Sequence, residues 1–396
     1  MTPEPAYQER AGSERPLRVC LLHNYRESQQ FSMKIYADRL GTALEARNVI
    51  VERLRPPEVL PRSWRSWWLA DKLDSYAGRF VRYPWIASRV SRASGASDSA
   101  NATDIYHITD HGQAHLLAWL DARRTVVTCH DLILLVLASG RLGPRKAPPV
   151  ALEIFRRVTR MLRRAAAVIA DSSQTRQDLV ALDDVDPGRI HVVFPGLNQP
   201  FAPDPAAREE GRRRWGLTGE MVVLQVGNAF YKNVEACLRV VARLRARGLP
   251  VTLLRGGRRL SPHDMSRAET LGIRGSVREL GPLPDHDLQT LYNVGDALLF
   301  PSLYEGFGWP PLEAMACGTP VVCSRAGSLG EIAGSAALTA DPGDIEGLAD
   351  HLAAVLTDPN LASGLRQRGI DHAARFDWDL TARKVVQIYR QVLEAL

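Results

Sequence analysis

Cysteines are few in this chain, and they lie far apart. Cys20, Cys129, Cys237, Cys317 and Cys323 form no C-x-x-C pair. An odd number without paired spacing gives neither a disulfide framework nor a zinc site, so the five read as small buried residues in a reducing compartment. Long apolar runs are also missing. The best, over 125–140, is interrupted by His130 and Asp131, and it is shorter than the ~20 residues of a membrane-crossing helix. The first fifteen residues lack the apolar centre of a secretory signal, which points to a cytoplasmic protein. Long basic runs, zinc-finger spacings and RNP signatures are absent, and with them the common nucleic-acid modules. No repeat of short period occurs. Between Gly12 and Gly41 there is no glycine at all, so the loop after the first expected strand lacks the residue that lets a backbone approach phosphates closely.

What is present suits a folded α/β chain. The sequence has 396 residues, 45% of them hydrophobic, enough for two domains of ordinary size. Residues 1–16 are polar, carry Pro3 and Pro5, and read as a flexible tail. Short apolar runs then alternate with stretches of helical rhythm. Strands are expected over 17–22, 105–108, 125–129, 167–170 and 190–194, and again over 221–226, 251–254, 297–300 and 320–323. Helical patterns lie between most of them, as in 31–46, 233–246 and 345–356. This alternation predicts parallel sheets with helices on both faces. Pro195, Pro200, Pro203 and Pro205 make an extended connector. One domain is therefore expected over 17–196, a linker over 197–205, and a second domain over 206–375.

Charge is unevenly placed. Residues 1–200 carry 28 Lys and Arg against 21 Asp and Glu, whereas residues 201–396 carry 22 against 23. The basic excess belongs to the first half, which favours an anionic surface or acceptor on that side.

In open parallel sheets, ligands bind beyond the C-terminal strand ends, where loops and helix N-termini converge. The richest such end follows the strand 297–300. Glu305 stands in a loop with Gly306 and Gly308, whose missing side chains let backbone amides approach a ligand. Pro310 and Pro311 suit the start of a helix and Gly318 its end, with Glu313 in the first turn. A helix N-terminus offers unpaired amides to a phosphate, and two flanking carboxylates can hold vicinal hydroxyls. The alternative is a surface Glu305 and a Glu313 that merely favours the helix.

This stretch, with Glu305 and Glu313 separated by seven residues, resembles the E-x7-E signature of the large GT4 family of retaining glycosyltransferases. The resemblance continues at Val226-Gly227, Lys232-Asn233, Leu288 to Tyr292, Gly327 to Ile332 and Asp341 to Asp344, and covers nearly all of 190–380. In the first half it is carried by Thr128 to Asp131 and by Asp171 to Ser173. It implies a GT-B fold, two Rossmann-like domains with parallel sheets facing a central cleft. It also implies a final helix, near 380–396, packed back on the first domain. On the second domain, Glu305 is then expected to hold donor-sugar hydroxyls and Glu313 the ribose. Gly306, Phe307, Gly308 and Trp309 line the donor, with Gly227 and Asn228 beside it. Lys232 balances the departing diphosphate, although by itself it reads as an exposed lysine opening a helix. The family often has Arg just before this Lys-Asn pair. Here Tyr231 takes that place, so Lys232 acts alone or with Arg255 or Arg325.

On the first domain, the resemblance places His130 near the donor sugar, where its charge or a hydrogen bond stabilises the transition state. A lone histidine is more often structural. Arg26 and Ser32, after the first strand, and Asp110 and His111, after the strand 105–108, are candidates for the acceptor side. Arg26 and Ser32 read equally well as surface residues. A metal site from His107, Asp110, His111 and His130 matches no standard spacing, and none is expected. Ser172 and Ser173 suit a helix N-cap.

Residues 62–92 interleave seven basic residues with Trp64, Trp67, Trp68, Tyr76, Phe80, Tyr83 and Trp85. Two readings stand here. One is peripheral contact with an anionic membrane at its inner face; the other is a helical layer with core tryptophans and solvated arginines. The sequence thus points to a retaining, metal- and cofactor-independent enzyme that moves a hexose from a nucleoside diphosphate sugar to a glycan or lipid-linked hydroxyl, in cell-envelope or exopolysaccharide assembly. Its rivals are a GT-B sugar-nucleotide epimerase, a phosphorylase, and a non-catalytic nucleotide-sugar-binding module.

Overall fold

A computed structural model describes residues 15–24, 31–56, 76–95 and 102–396. Arg26 and residues 62–75 lie outside the described residues.

The chain builds two six-stranded sheets in which every pairing is parallel. The first contains β1 (Arg18–Leu22), β2 (Ile50–Leu54), β3 (Ile105–Ile108), β4 (Thr125–Cys129), β5 (Ala167–Ala170) and β6 (Ile190–Val192). Its order is β2-β1-β3-β4-β5-β6. The second contains β7 (Met221–Val226), β8 (Val251–Gly256), β9 (Val277–Gly281), β10 (Ala297–Phe300), β11 (Val321–Ser324) and β12 (Leu338–Ala340). Its order is β12-β11-β10-β7-β8-β9.

Three strands that the apolar pattern does not reveal are β2, β9 and β12, and all three are sheet edges. Their residues are mixed in polarity and only partly covered, as in Ile50-Val-Glu-Arg-Leu54. The interior strands β3, β4, β5, β10 and β11 are buried at every position. A strand covered on both faces must be apolar throughout, whereas an edge strand tolerates charge.

Alternation along β1 sends its residues into two cores. Cys20 and Leu22 join the layer of Tyr106, Ile108 and Val127. Val19 and Leu21 face Tyr36 and Leu40 together with Val385, Ile388 and Tyr389. The last three belong to the helix Trp378–Glu394. This C-terminal helix therefore completes a core of the first sheet. It is tied there by His107 Nδ1 on the Tyr389 hydroxyl at 2.6 Å and by Thr381 Oγ1 donating to the Phe194 carbonyl at 2.8 Å. All five cysteines are free and buried. Burial pushes the Cys237 and Cys323 thiols up to about 12, so they stay protonated and unreactive.

In each sheet the chain runs outward from one strand and then returns to its other side. These reversals lie between β1 and β3 and between β7 and β10. Crevices open at such switch points, and here the two face each other.

Candidate active site

A cleft of about 1030 Å³ lies between the domains, lined by loops after β3, β4, β5, β7 and β10. Glu305, Lys232, His130, Glu313, Gly306, Phe307, Gly308, Trp309, Gly227, Asn228, Ser32, Asp110 and His111 all line it. The structure thus brings these thirteen candidates together.

On the second domain, the backbone places Lys232 carefully. It ends a short 3-10 turn, Phe230–Lys232, before Asn233 in a left-handed conformation at φ 53°. Asparagine tolerates this region because its short amide can bond locally. Here the Asn233 Nδ2 donates to the Pro301 and Pro342 carbonyls at 3.1 and 3.0 Å. The turn is thereby stapled to the loop after β10. Lys232 lies with its ammonium 4.6 Å from the Phe300 ring centroid and donates to Glu305 Oε1 at 2.8 Å. Only 13% of its side chain is exposed. The reading of an exposed lysine opening a helix is therefore corrected. Burial among aromatic rings at a domain interface was not visible from its sequence neighbours.

Glu313 is buried and doubly held. The Tyr292 hydroxyl donates to Oε2 at 2.6 Å and the Asn198 amide donates to Oε1 at 3.0 Å. Its helix spans Trp309–Ala316 with Gly308 as N-cap. Glu313 thus stands beyond the first turn, one correction to the sequence reading. The helix begins at Trp309 rather than at the prolines, because Gly308 takes the left-handed entry at φ 102° that bulkier residues rarely adopt. The Trp309 indole does not turn to the cleft for hydrogen bonding. Its Nε1 donates to the Gly196 carbonyl at 3.0 Å, fixing the helix to the connector.

Gly306 is also required for packing. A Cβ there would overlap the His130 carbonyl oxygen of the facing domain and press on the Asp131 side chain. The missing side chain admits the other domain. Nearby, Thr175 Oγ1 donates to the Gly306 carbonyl at 3.3 Å, and the Tyr304 hydroxyl donates to Asp178 at 2.8 Å. The Ser173 amide and hydroxyl both donate to Glu331. These contacts tie the two domains together across the cleft. Ser172 caps the helix Ser173–Asp183 by accepting from the Thr175 amide.

On the first domain, β3 and β4 are neighbours, so their ends converge. His130 follows β4. Its Nδ1 lies 2.5 Å from Asp171 Oδ2 and its Nε2 lies 2.9 Å from the Thr109 carbonyl. A carbonyl and a carboxylate only accept, so both ring nitrogens must carry protons. Burial alone would lower the pKa of this imidazole, but the Asp171 charge and hydrogen bond raise it to about 9. His130 is therefore a fixed cation, and its ring has no nitrogen left for a substrate. Asp110 caps the turn after β3 by accepting from the Gly112 amide at 2.8 Å, and it also accepts from the Asn24 amide. His111 beside it is buried, and burial pulls its pKa below the ordinary value. Ser32 is exposed at the cleft rim.

The supplementary cations are placed elsewhere. Arg255 is buried behind the loop after β7, where its Nε donates to Gln225 at 2.8 Å and its Nη2 to Asn228 at 3.4 Å. It positions Asn228 and does not line the cleft. Arg325 is paired with Asp341 at 3.3 Å. His107 bonds Tyr389 and Thr128. Among the described residues no group of three or more His, Cys, Asp or Glu is arranged to hold a metal ion. Sequence reasoning missed Tyr292, Asn198 and Asp171 as carboxylate and imidazole partners. Their one signal was position, since Asp171 ends β5 and Asn198 lies in the connector.

Comparison with known proteins bears on this geometry. The profile described as Glycosyl transferases group 1 matches residues 207–372, and that described as Glycosyltransferase Family 4 matches residues 20–199. The D-inositol 3-phosphate glycosyltransferase of Salinispora arenicola is 31% identical over 336 residues, covering 78% of this chain and 72% of that protein. The chain belongs to glycosyltransferase family 4. The O-antigen chain mannosyltransferase B of Escherichia coli is 30% identical to this glycosyltransferase over 231 residues, 57% of this chain and 61% of that protein. The alignment with the E. coli serotype-specific mannosyltransferase WbdA spans 34% of that larger protein. Among solved structures, a sucrose-phosphate synthase from Thermosynechococcus elongatus superposes with a TM-score of 0.70 at 21% identity, over 96% of this chain and all of that one. HepE from Anabaena, solved with UDP and glucose, gives 0.69 at 18% identity over 94% of this chain and 98% of its own. The fold is GT-B, as the two parallel sheets and these neighbours show.

Proposed function

We propose that this glycosyltransferase moves a hexose from a nucleoside diphosphate sugar to a hydroxyl acceptor with retention of anomeric configuration, in the assembly of a cell-envelope or extracellular glycan. The observation that carries the reading is the buried Lys232–Glu305 pair at the β7/β10 switch point, opposite the His130 cation. The names of the relatives support a mannosyl or similar donor, and the HepE complexes support a nucleotide sugar.

In this reading Glu313, held by Tyr292 and Asn198, takes the ribose hydroxyls. Glu305 takes hydroxyls of the sugar, and Lys232 turns from Glu305 to the diphosphate. The bond between the anomeric carbon and the leaving phosphate breaks. The acceptor oxygen bonds to the same face, and its proton passes to the departing phosphate oxygen. Charge grows on that phosphate, so fixed cations at Lys232 and His130 favour the transition state over the ground state. His130 acts through its charge, since its ring protons are already committed. No metal or other cofactor is assigned to this step. NMR of the product formed from UDP-glucose or GDP-mannose checks the proposal. An inverted anomer, or a donor isomer formed without acceptor, would overturn it.

The described part of the aromatic and basic segment forms the turn Gly78–Arg82 and the helix Tyr83–Gly95. Tyr83 is core, and its hydroxyl is bonded to the Leu54 carbonyl at 2.9 Å. Tyr76, Val81 and Trp85 are 58, 69 and 53% exposed. No described helix is long and apolar enough to cross a membrane. These exposed rings among arginines support a peripheral contact with an anionic surface, with a glycan or lipid-linked acceptor delivered from it.

A further inference from the structure

The first-domain wall of the cleft holds a cation that the donor chemistry leaves unused. Arg79 belongs to the π-helical turn Gly78–Arg82 and lines the cleft. Its Nη2 donates to the Gly112 carbonyl, while its Nε is buried without a hydrogen-bond partner. Among the described residues no carboxylate pairs with it. Asp110 is the acid that acts on it electrostatically, but that carboxylate is taken by Asn24 and the Gly112 amide. Burial draws the guanidinium pKa below its ordinary value, yet arginine stays charged. The other two cations of the cleft are neutralised, Lys232 by Glu305 and His130 by Asp171. An unpaired, part-buried charge is costly to keep, so Arg79 has affinity to spare for an anion.

The surroundings say what bears that anion. Phe80 lies under the guanidinium at 5.3 Å, and Tyr76 stacks on Phe80 at 6.0 Å. Ile154 and Phe155, from the helix Pro149–Thr159, line the same cleft. Tyr76 and Ile154 are 58 and 43% exposed, so this apolar wall is left open by the described residues. An apolar chain carrying a phosphate ester matches both the wall and the cation.

We propose that Arg79 is the anion-binding residue of the acceptor subsite, holding a phosphate ester of the acceptor while the Tyr76–Phe80 and Ile154–Phe155 surfaces take its apolar part. This rests on the glycosyltransferase reading of the cleft. A lipid-linked phosphate and a soluble sugar phosphate share the ester, and the open apolar wall favours the lipid.

The test compares farnesyl phosphate, farnesol, glucose 6-phosphate and glucose, titrated into the full chain by calorimetry. UDP and GDP binding serve as separate controls on the donor side. Farnesyl phosphate should bind about tenfold or more tightly than farnesol, the scale of one charged hydrogen bond. Arg79→Gln should erase that difference, and Arg79→Lys should keep part of it. Ile154→Ser should weaken farnesyl phosphate and leave glucose 6-phosphate unchanged. Tighter binding of farnesyl phosphate than of glucose 6-phosphate assigns the lipid source, and the reverse assigns the soluble one. Equal binding of phosphate and alcohol by the unaltered chain overturns the proposal. So does full discrimination in Arg79→Gln. If Arg79→Gln does not fold, the phosphate-to-alcohol ratio in Arg79→Lys decides, and an unchanged ratio there also overturns it. Absent nucleotide binding would instead strike the donor reading, and the farnesyl series would still be read on its own.

Discussion

At the scale of single residues, the site is a set of charges held in advance. The Lys232–Glu305 pair is buried at both ends, so removing one partner strands the other. Lys232→Ala should lower kcat by roughly two to three orders of magnitude, the usual cost of losing one charge stabiliser. It should also lower stability, because Glu305 is left buried and unpaired. Glu305→Gln should reduce turnover while nucleotide affinity holds, and Glu313→Gln should weaken the nucleotide as well. Steady-state kinetics with nucleotide titrations separate these outcomes, and wild-type turnover in both glutamine variants would sink the assignment. His130 makes a different prediction. Its folded pKa of about 9 lies above the ordinary 6.5, so its contribution to stability is full below about 6.5 and fades as pH rises through about 9. Of its neighbours, burial pulls His111 down and pushes the Tyr36 hydroxyl far up, so both move out of that window. Melting temperature should fall between about pH 6.5 and 9 in the natural chain, and His130→Gln should flatten that limb. An identical limb in the variant would place the titration elsewhere.

At the scale of elements, two loops decide how closely the domains meet. The loop after β10 carries Glu305 for the donor and Gly306 for the other domain, so chemistry and closure share adjacent residues. Gly306→Ala puts a methyl group where the His130 carbonyl lies. The strain of such overpacking is about 1–3 kcal/mol, and the clash falls between domains rather than within one. The variant should therefore stay folded, keep its nucleotide affinity and lose most of its turnover. Small-angle scattering should show a wider cleft. A variant as compact and as active as the natural chain would mean that the closed contact plays no part in the reaction. The same view explains why the residues flanking Glu305 are so constrained. Tyr304 bonds Asp178 across the interface, and Gly308 turns the chain into the helix bearing Glu313.

At the scale of the whole molecule, the two halves differ in charge, and the basic half also carries the exposed Trp85, Val81, Ile154 and Val150. Each basic residue near an anionic bilayer contributes about 1 kcal/mol, and the attraction weakens as salt shortens the Debye length. Sedimentation with anionic vesicles at low salt should pull the protein down, whereas high salt or neutral vesicles should release it. Arg82→Glu with Trp85→Ser should reduce the bound fraction severalfold. Equal binding to both vesicle types would leave this face as ordinary surface. The closed GT-B arrangement would then present its cleft to soluble acceptors.

Much of this architecture was legible in the chain itself. Interior strands are covered on both faces, so their apolar runs mark them directly, and β3, β4, β5 and β10 appear where the pattern puts them. The edge strands β2, β9 and β12 were hidden because solvent on one side permits Glu52, Arg53 and Glu279. Glu305 and Glu313, with Lys232 ahead of them, pointed to a donor site through the resemblance of their spacing to the family's E-x7-E signature. What no sequence window contains is the partner across the cleft. That Lys232 is buried on Glu305, that Asp171 raises the pKa of His130, and that Gly306 is shaped by a carbonyl 176 positions away were decided by the docking of two sheets. So was the isolation of Arg79. Local pattern fixes what a residue's own strand or helix demands of it. Burial and charge pairing depend on neighbours that only tertiary packing supplies.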